Sequence, residues 1–187
     1  MPTPPVVLLL SGSLRTGSSN NAVLRTVGSV APAGVRTVLY GGLASLPHFN
    51  PDDDRDPLPP PVVELRAALA EATAILVCSP EYAGTLPGSF KNLLDWTVGG
   101  AEICDKPVAW VNAAAPGRGA GAEATLRTVL TYTGAHVVDS ACSRVPVSPG
   151  TVDDNGVITD PATRAQLLTV LERLVAAAGP DVPGDAT

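Results

Sequence analysis

A parallel β-sheet covered by helices on both faces, the α/β class, is predicted by three features of this 187-residue sequence. Short, wholly apolar stretches recur along it, as in Val6 to Leu10, "ATAILVCS" and "KPVAWVNA". Such runs belong to strands buried on both sides. Segments with helical spacing of apolar residues alternate with them, which is the β-α order of a parallel sheet. Glycine, serine or proline ends most of the runs, as turns between elements require.

The elements follow in order. Val6 to Leu10 is the first strand, and Asn20 to Val30 a helix with Ala22, Val23, Val27 and Val30 on its apolar positions. Val35 to Tyr40 is the second strand. "PHFNPDDDRDPLPPP" holds too many prolines and charges for regular structure and is expected to be a surface loop, with Asp52 to Asp56 solvated. Glu64 to Ala72 is helical, and "ATAILVCS" is strand three. Pro87 and Gly88 introduce a helix through Val98, with Phe90, Leu93, Leu94 and Thr97 on one face. "KPVAWVNA" is strand four, Glu123 to Tyr132 a helix with Leu126, Val129 and Leu130 inward, and "AHVVD" strand five. Asn155-Gly156 marks a tight turn, and Asp160-Pro161 caps and starts a last helix carrying Leu167, Leu168, Leu171, Leu174 and Val175. One domain over residues 1–180 is expected, with 181–187 a disordered tail.

Composition excludes several functions. The formal net charge of −6 argues against nucleic acid, whose phosphates demand clustered Lys and Arg. No basic residue precedes Arg15, and no run approaches the roughly 20 apolar residues of a membrane span, so a cytoplasmic protein is expected. Cys78, Cys104 and Cys142 are far apart and form no CxxC, and His48 and His136 stand apart from them, so no metal site is expected. No G-x-S-x-G is present, which disfavours a hydrolase. Trp96 and Trp110 read as core or interface aromatics.

Ligands of such sheets bind beyond the carboxyl ends of the strands. After strand one comes "GSLRTGSSN", Gly12 to Asn20. Gly12 and Gly17 have the separation of an ATP-binding P-loop, but Ser18 stands where its lysine belongs. Backbone N–H groups at a helix start, with Ser13, Ser18, Asn20 and the cation of Arg15, suit one terminal phosphate monoester better than a triphosphate. A plain hydrophilic turn with a capping serine is the alternative. After strand three comes "SPEYAGTLPGSFKNLLDW", in which prolines and glycine shape an irregular loop and Tyr82 can cover an aromatic ring. Glu81 lacks a second carboxylate for acid–base work.

Together these two segments resemble the NAD(P)H-dependent FMN reductase family, which includes quinone, azo-dye and chromate reductases. Pro80, Glu81, Tyr82, Pro87, Gly88, Lys91, Asn92, Asp95 and Trp96 keep the register of its second motif, while Ala83 stands where asparagine is common. The resemblance implies a flavodoxin-like three-layer sandwich with a five-stranded parallel sheet of order 2-1-3-4-5. It implies that Ser13, Leu14, Arg15, Ser18, Ser19 and Asn20 hold the FMN phosphate. Pro80, Glu81, Tyr82, Ala83 and Gly84 would run along the isoalloxazine edge, with Ala115, Pro116 and Gly117 lining the ring from the loop after strand four. Ala83 would lose a side-chain contact and alter flavin affinity or potential without abolishing binding.

The implied activity is FMN-dependent reduction of flavin, quinone, azo or similar small-molecule acceptors by NAD(P)H, in ping-pong order. No side chain is assigned as catalytic acid or base, because the flavin supplies the chemistry. A homodimer or homotetramer is implied, with contact faces on the helices after strands three and four. Competing readings are a flavodoxin-type electron carrier and a flavin-free structural or regulatory domain. A separate motif, "GRGAGA" from Gly117 to Ala122, fits the dinucleotide pattern, and Asp139 lies about 20 residues past Gly119, where an acidic ribose partner belongs. It does not follow the first strand, however, and close backbone approach to the flavin is the preferred reading.

Overall fold

A computed structural model describes residues 4–148 and 150–179. The expected tail at 181–187 lies outside them. β1 (Val6–Ser11), β3 (Ala74–Cys78) and β4 (Pro107–Asn112) form the centre of one parallel sheet, with β2 (Arg36–Leu39) at one edge. The order is β2-β1-β3-β4-β5, as expected. The fifth place differs from expectation. It is filled by two short strands in series, β5 (His136–Val137) and β6 (Ser143–Arg144), both parallel to β4 and separated by a 3-10 turn at Asp139–Ala141. A polar edge needs no long apolar run, so "ACSR" gave no strand signal.

Alternation along the strands supplies two apolar layers. Val7, Leu9, Leu76 and Val111 pack under α1 (Ser19–Val30) and α5 (Pro161–Ala177), against Val23, Val27, Leu167 and Leu171. Leu8, Leu10, Ile75, Val77 and Trp110 pack on the other face against α2 (Pro60–Glu71), α3 (Gly88–Asp95) and α4 (Ala120–Tyr132). No helix among the described residues is long and apolar enough to cross a membrane.

Three boundaries move for local reasons. α2 starts at Pro60, four residues before the expected Glu64, because prolines in the first turn sacrifice no hydrogen bond. α3 stops at Asp95, short of Val98. α4 begins at Ala120 instead of Glu123, inside the glycine-rich run. In the acidic stretch Asp52, Asp53, Arg55 and Asp56 are exposed as expected, and Asp54 is the exception. Asp54 pairs with Arg66 at 2.7 Å, both largely buried, and Arg66 also donates to the Trp96 carbonyl at 3.1 Å.

Candidate functional site: three loops at the carboxyl edge of the sheet

The end of β1 presses on the end of β3. The Gly12 N–H donates to the Cys78 carbonyl at 2.9 Å, and a Cβ on Gly12 would lie 2.2 Å from Ser79 Oγ. From there the chain climbs through short side-chain turns. Ser13 N–H donates to Ser11 Oγ at 3.2 Å and Arg15 N–H to Ser13 Oγ at 3.2 Å. Gly17 takes a positive φ of 69° that directs the chain into α1. Ser18 caps this helix, its Oγ accepting from Asn20 N at 3.1 Å.

The remaining first-turn N–H groups lack intrahelical acceptors, as at any helix start, an arrangement able to receive an anion. Ser13, Ser18 and Asn20 are buried, while Leu14, Arg15, Thr16 and Gly17 are exposed. Among the described residues the Arg15 guanidinium makes one long contact, 3.4 Å to the Gly17 carbonyl, and is available to a ligand. Asn20 faces inward: its amide donates to Ser18 Oγ at 3.3 Å and accepts from the Cys78 thiol at 3.3 Å. Burial pushes that thiol up, far from a reactive thiolate.

The loop after β3 is clamped to the start of α4. Glu81 Oε2 accepts from the N–H groups of Gly121 at 2.7 Å and Ala122 at 3.1 Å, capping a helix whose own cap residue, Gly119, has no side chain. Thr85 and Thr125 hydroxyls meet at 2.9 Å. Gly121 is required by contact: its Cβ would lie 2.0 Å from the Gly84 carbonyl oxygen. Glu81 is therefore a positioning residue, in keeping with its poor prospects as an acid–base group.

Ala83 and Gly84 both have positive φ, 50° and 78°, inside a two-residue turn closed by reciprocal bonds between Tyr82 and Thr85. That is the geometry favoured by Asn-Gly. The asparagine common at this place thus has a backbone reason, which a reading based on side-chain contact alone misses. Ala83→Asn is expected to stabilise the protein by about 0.5–1 kcal/mol, because asparagine tolerates the left-handed region better than alanine. A thermal melt of the flavin-free protein checks it, a fall in Tm being the contrary result.

The rest of the second motif is scaffolding. Asn92 Nδ2 and Trp96 Nε1 both donate to the Pro47 carbonyl, at 2.8 and 2.9 Å, and Phe49 packs edge-on to Trp96 at 5.0 Å. In the loop after β4, Asn112 is the organiser that sequence reading missed. It donates to the Arg118 carbonyl at 3.1 Å and Glu123 Oε1 at 2.9 Å, and accepts from Ala114 N at 2.9 Å. Gly119, at φ 85°, lies directly over it. Gly119 and Gly121 are thus explained by packing and Gly117 by its positive φ of 81°, and Asp139 is engaged by Arg127, which stacks 5.0 Å above Trp110.

The three loops enclose a cleft of about 340 Å³. Five of the expected residues line it, Ser19, Asn20, Pro80, Glu81 and Ala115, joined by Ser79, Ala113, Ala114, Arg118 and Gly119. Arg118 was hidden in the glycine-rich run. Leu14, Arg15 and Ser18 line a second cleft on the other side of the helix entrance. Tyr82, Ala83, Gly84, Pro116 and Gly117 are exposed and line neither. A cleft of this volume beside a helix start with free N–H groups has room for a planar ring and donors for a phosphate, so the residues present suit FMN. No group of three or more potential metal ligands occurs among the described residues.

Residues 5–147 match the family described as NADPH-dependent FMN reductase. The chain is 31% identical over 186 residues to an NAD(P)H:quinone oxidoreductase of Solanum tuberosum, covering 95% of this chain and 96% of the relative. It is 30% identical over 171 residues to an NAD(P)H-dependent FMN reductase of Pseudomonas aeruginosa, covering 90% and 92%. Among solved structures it resembles the flavoenzyme NAD(P)H:(acceptor) oxidoreductase FerB of Paracoccus denitrificans, with TM-score 0.81, 26% identity and coverage of 93% and 97%.

Proposed function

We propose a working scheme from one premise: this chain belongs to the NADPH-dependent FMN reductase family. It is an FMN-dependent oxidoreductase that uses NAD(P)H. FMN, when bound, would supply the hydride chemistry between NAD(P)H and an acceptor, so the protein need only bind and orient. The α1 entrance, with Ser13, Leu14, Arg15, Ser18 and Ser19, holds the phosphate, and Asn20 acts by fixing Ser18. Pro80 and Glu81 flank the ring on one side and Ala115 and Arg118 on the other, with Tyr82 to Gly84, Pro116 and Gly117 at the exposed rim. The clamp of Glu81 on α4 keeps that cleft at constant width.

The acceptor is a small molecule of quinone, azo or flavin type, supported by the quinone reductases among the relatives. Nicotinamide and acceptor would occupy the cleft in turn, which is the ping-pong order. Residues 1–180 act as one flavin-binding domain. Exposed Tyr82, Val98 and Tyr132 on the α3–α4 side support a homo-oligomer. Three free cysteines and the use of NAD(P)H support a cytoplasmic location.

The observation that carries this reading is the amide-rich entrance of α1 opening beside the three-loop cleft. Anaerobic mixing of FMN-loaded protein with NADPH tests it. Flavin absorbance bleaches without any added reductase, a quinone restores it, and double-reciprocal rate plots are parallel. Bleaching only when a separate reductase is supplied points to an electron carrier instead, and intersecting plots overturn the ping-pong order.

A further inference from the structure

The second cleft is larger than the first, about 540 Å³, and FMN as seated above would meet it only at Leu14, Arg15 and Ser18. It begins at the phosphate loop, with Leu14, Arg15, Gly17 and Ser18, and runs along the outer face of α1 past Asn21 and Arg25. The turn Val152 to Gly156 forms its far wall. Leu14 and Val152 are two of the few exposed large apolar side chains among the described residues, and both stand at this cleft. The rest of the lining is mostly polar or charged, so Leu14 and Val152 are apolar patches in a polar cleft.

The cations of the cleft, Arg15 and Arg25, form no ion pair among the described residues, unlike four arginines elsewhere. Arg36, Arg66, Arg127 and Arg144 are each paired with a carboxylate. The guanidinium of Arg25 has no hydrogen bond or ion pair among the described residues, and its stem lies over Gly156. The Asp153 carboxylate is spent inside the turn, accepting from Asn155 N at 2.9 Å and Val157 N at 2.8 Å. Asp154 is exposed. A ligand that fits has a flat apolar-faced part, an anion and hydroxyl donors, and it lies directly beyond the FMN phosphate.

We propose that this cleft receives an adenosine phosphate group. Leu14 and Val152 flank the adenine, Arg25 meets the phosphate, and Asp154 accepts from a ribose hydroxyl. The group comes from the second half of NAD(P)H or from FAD bound in place of FMN. The NAD(P)H source rests on the function given above.

Arg25→Ala in the FMN-loaded enzyme tests it, with p-benzoquinone as acceptor and NADPH or reduced nicotinamide mononucleotide as donor. The mononucleotide lacks the adenosine half. The expected result is a KM for NADPH raised about fivefold or more, with kcat and the mononucleotide KM unchanged. Arg25→Lys recovers part of the loss. In parallel, FMN and FAD are titrated into flavin-free protein. A loss of FAD affinity alone in Arg25→Ala supports the site with FAD as the source. Unchanged NADPH KM together with unchanged FAD affinity overturns the proposal. Equal shifts for the mononucleotide or for FMN overturn it too, since Arg25 would then act on the flavin or the fold. Wild-type protein inactive with both donors contradicts the enzymatic function, while the FAD arm still reads the cleft.

Discussion

Gly121→Val is expected to lower FMN affinity about a hundredfold, equivalent to ~2.7 kcal/mol, and to destabilise the protein by about 1–3 kcal/mol. The Gly121 Cβ would sit 2.0 Å from the Gly84 carbonyl oxygen and 2.8 Å from its carbon, both backbone atoms that no rotamer change can withdraw. One of the two segments must shift. If the loop after β3 moves, Glu81 leaves the Gly121 and Ala122 amides, the α4 start loses its cap, and Pro80 to Gly84 leave the edge of the cleft. Flavin fluorescence quenching and a thermal melt read the two effects. Gly34→Ala is the control: with φ 92° and nothing within 4 Å, it carries conformational strain without displacing a neighbour. It is expected to lower Tm and leave FMN affinity unchanged. Equal loss of FMN binding in both variants contradicts the clamp.

Arg15→Ala is expected to weaken FMN about tenfold, ~1.4 kcal/mol, and to leave riboflavin affinity unchanged. Riboflavin lacks the phosphate, so only FMN loses the charge-assisted bond. The effect stays moderate because Arg15 is exposed and the oriented amides of α1 remain. Raising the salt concentration narrows the difference between Arg15→Ala and wild type, as screening requires. Parallel losses for FMN and riboflavin would mean that Arg15 serves the ring or the fold instead of the phosphate.

Where sequence reading succeeded, the cause was local. The continuous apolar runs at β1, β3 and β4 are buried on both faces, so their composition alone marks them. Asp160 caps α5 as expected, because a cap bond spans only two or three residues, while Ser18, expected at the phosphate, proves to be the α1 cap. Misses arose where the deciding partner is distant in sequence. Gly121 answers to Gly84, and Glu81 to two amides about forty residues away. Asn112 organises a loop and looks in sequence like the end of a strand. Ala83 looked like a lost side-chain contact, although its constraint is backbone geometry. The glycine-rich run imitated a dinucleotide fingerprint because close approach selects glycine whatever approaches it.

A crystal structure of the protein with FMN tests the central claim most directly. The phosphate is expected on the first-turn N–H groups of α1, within hydrogen-bonding distance of the Arg15 guanidinium, with the ring in the cleft, Pro80 and Glu81 on one side and Ala115 and Arg118 on the other. A phosphate located anywhere other than that helix entrance, with Arg15 turned to solvent, would contradict it.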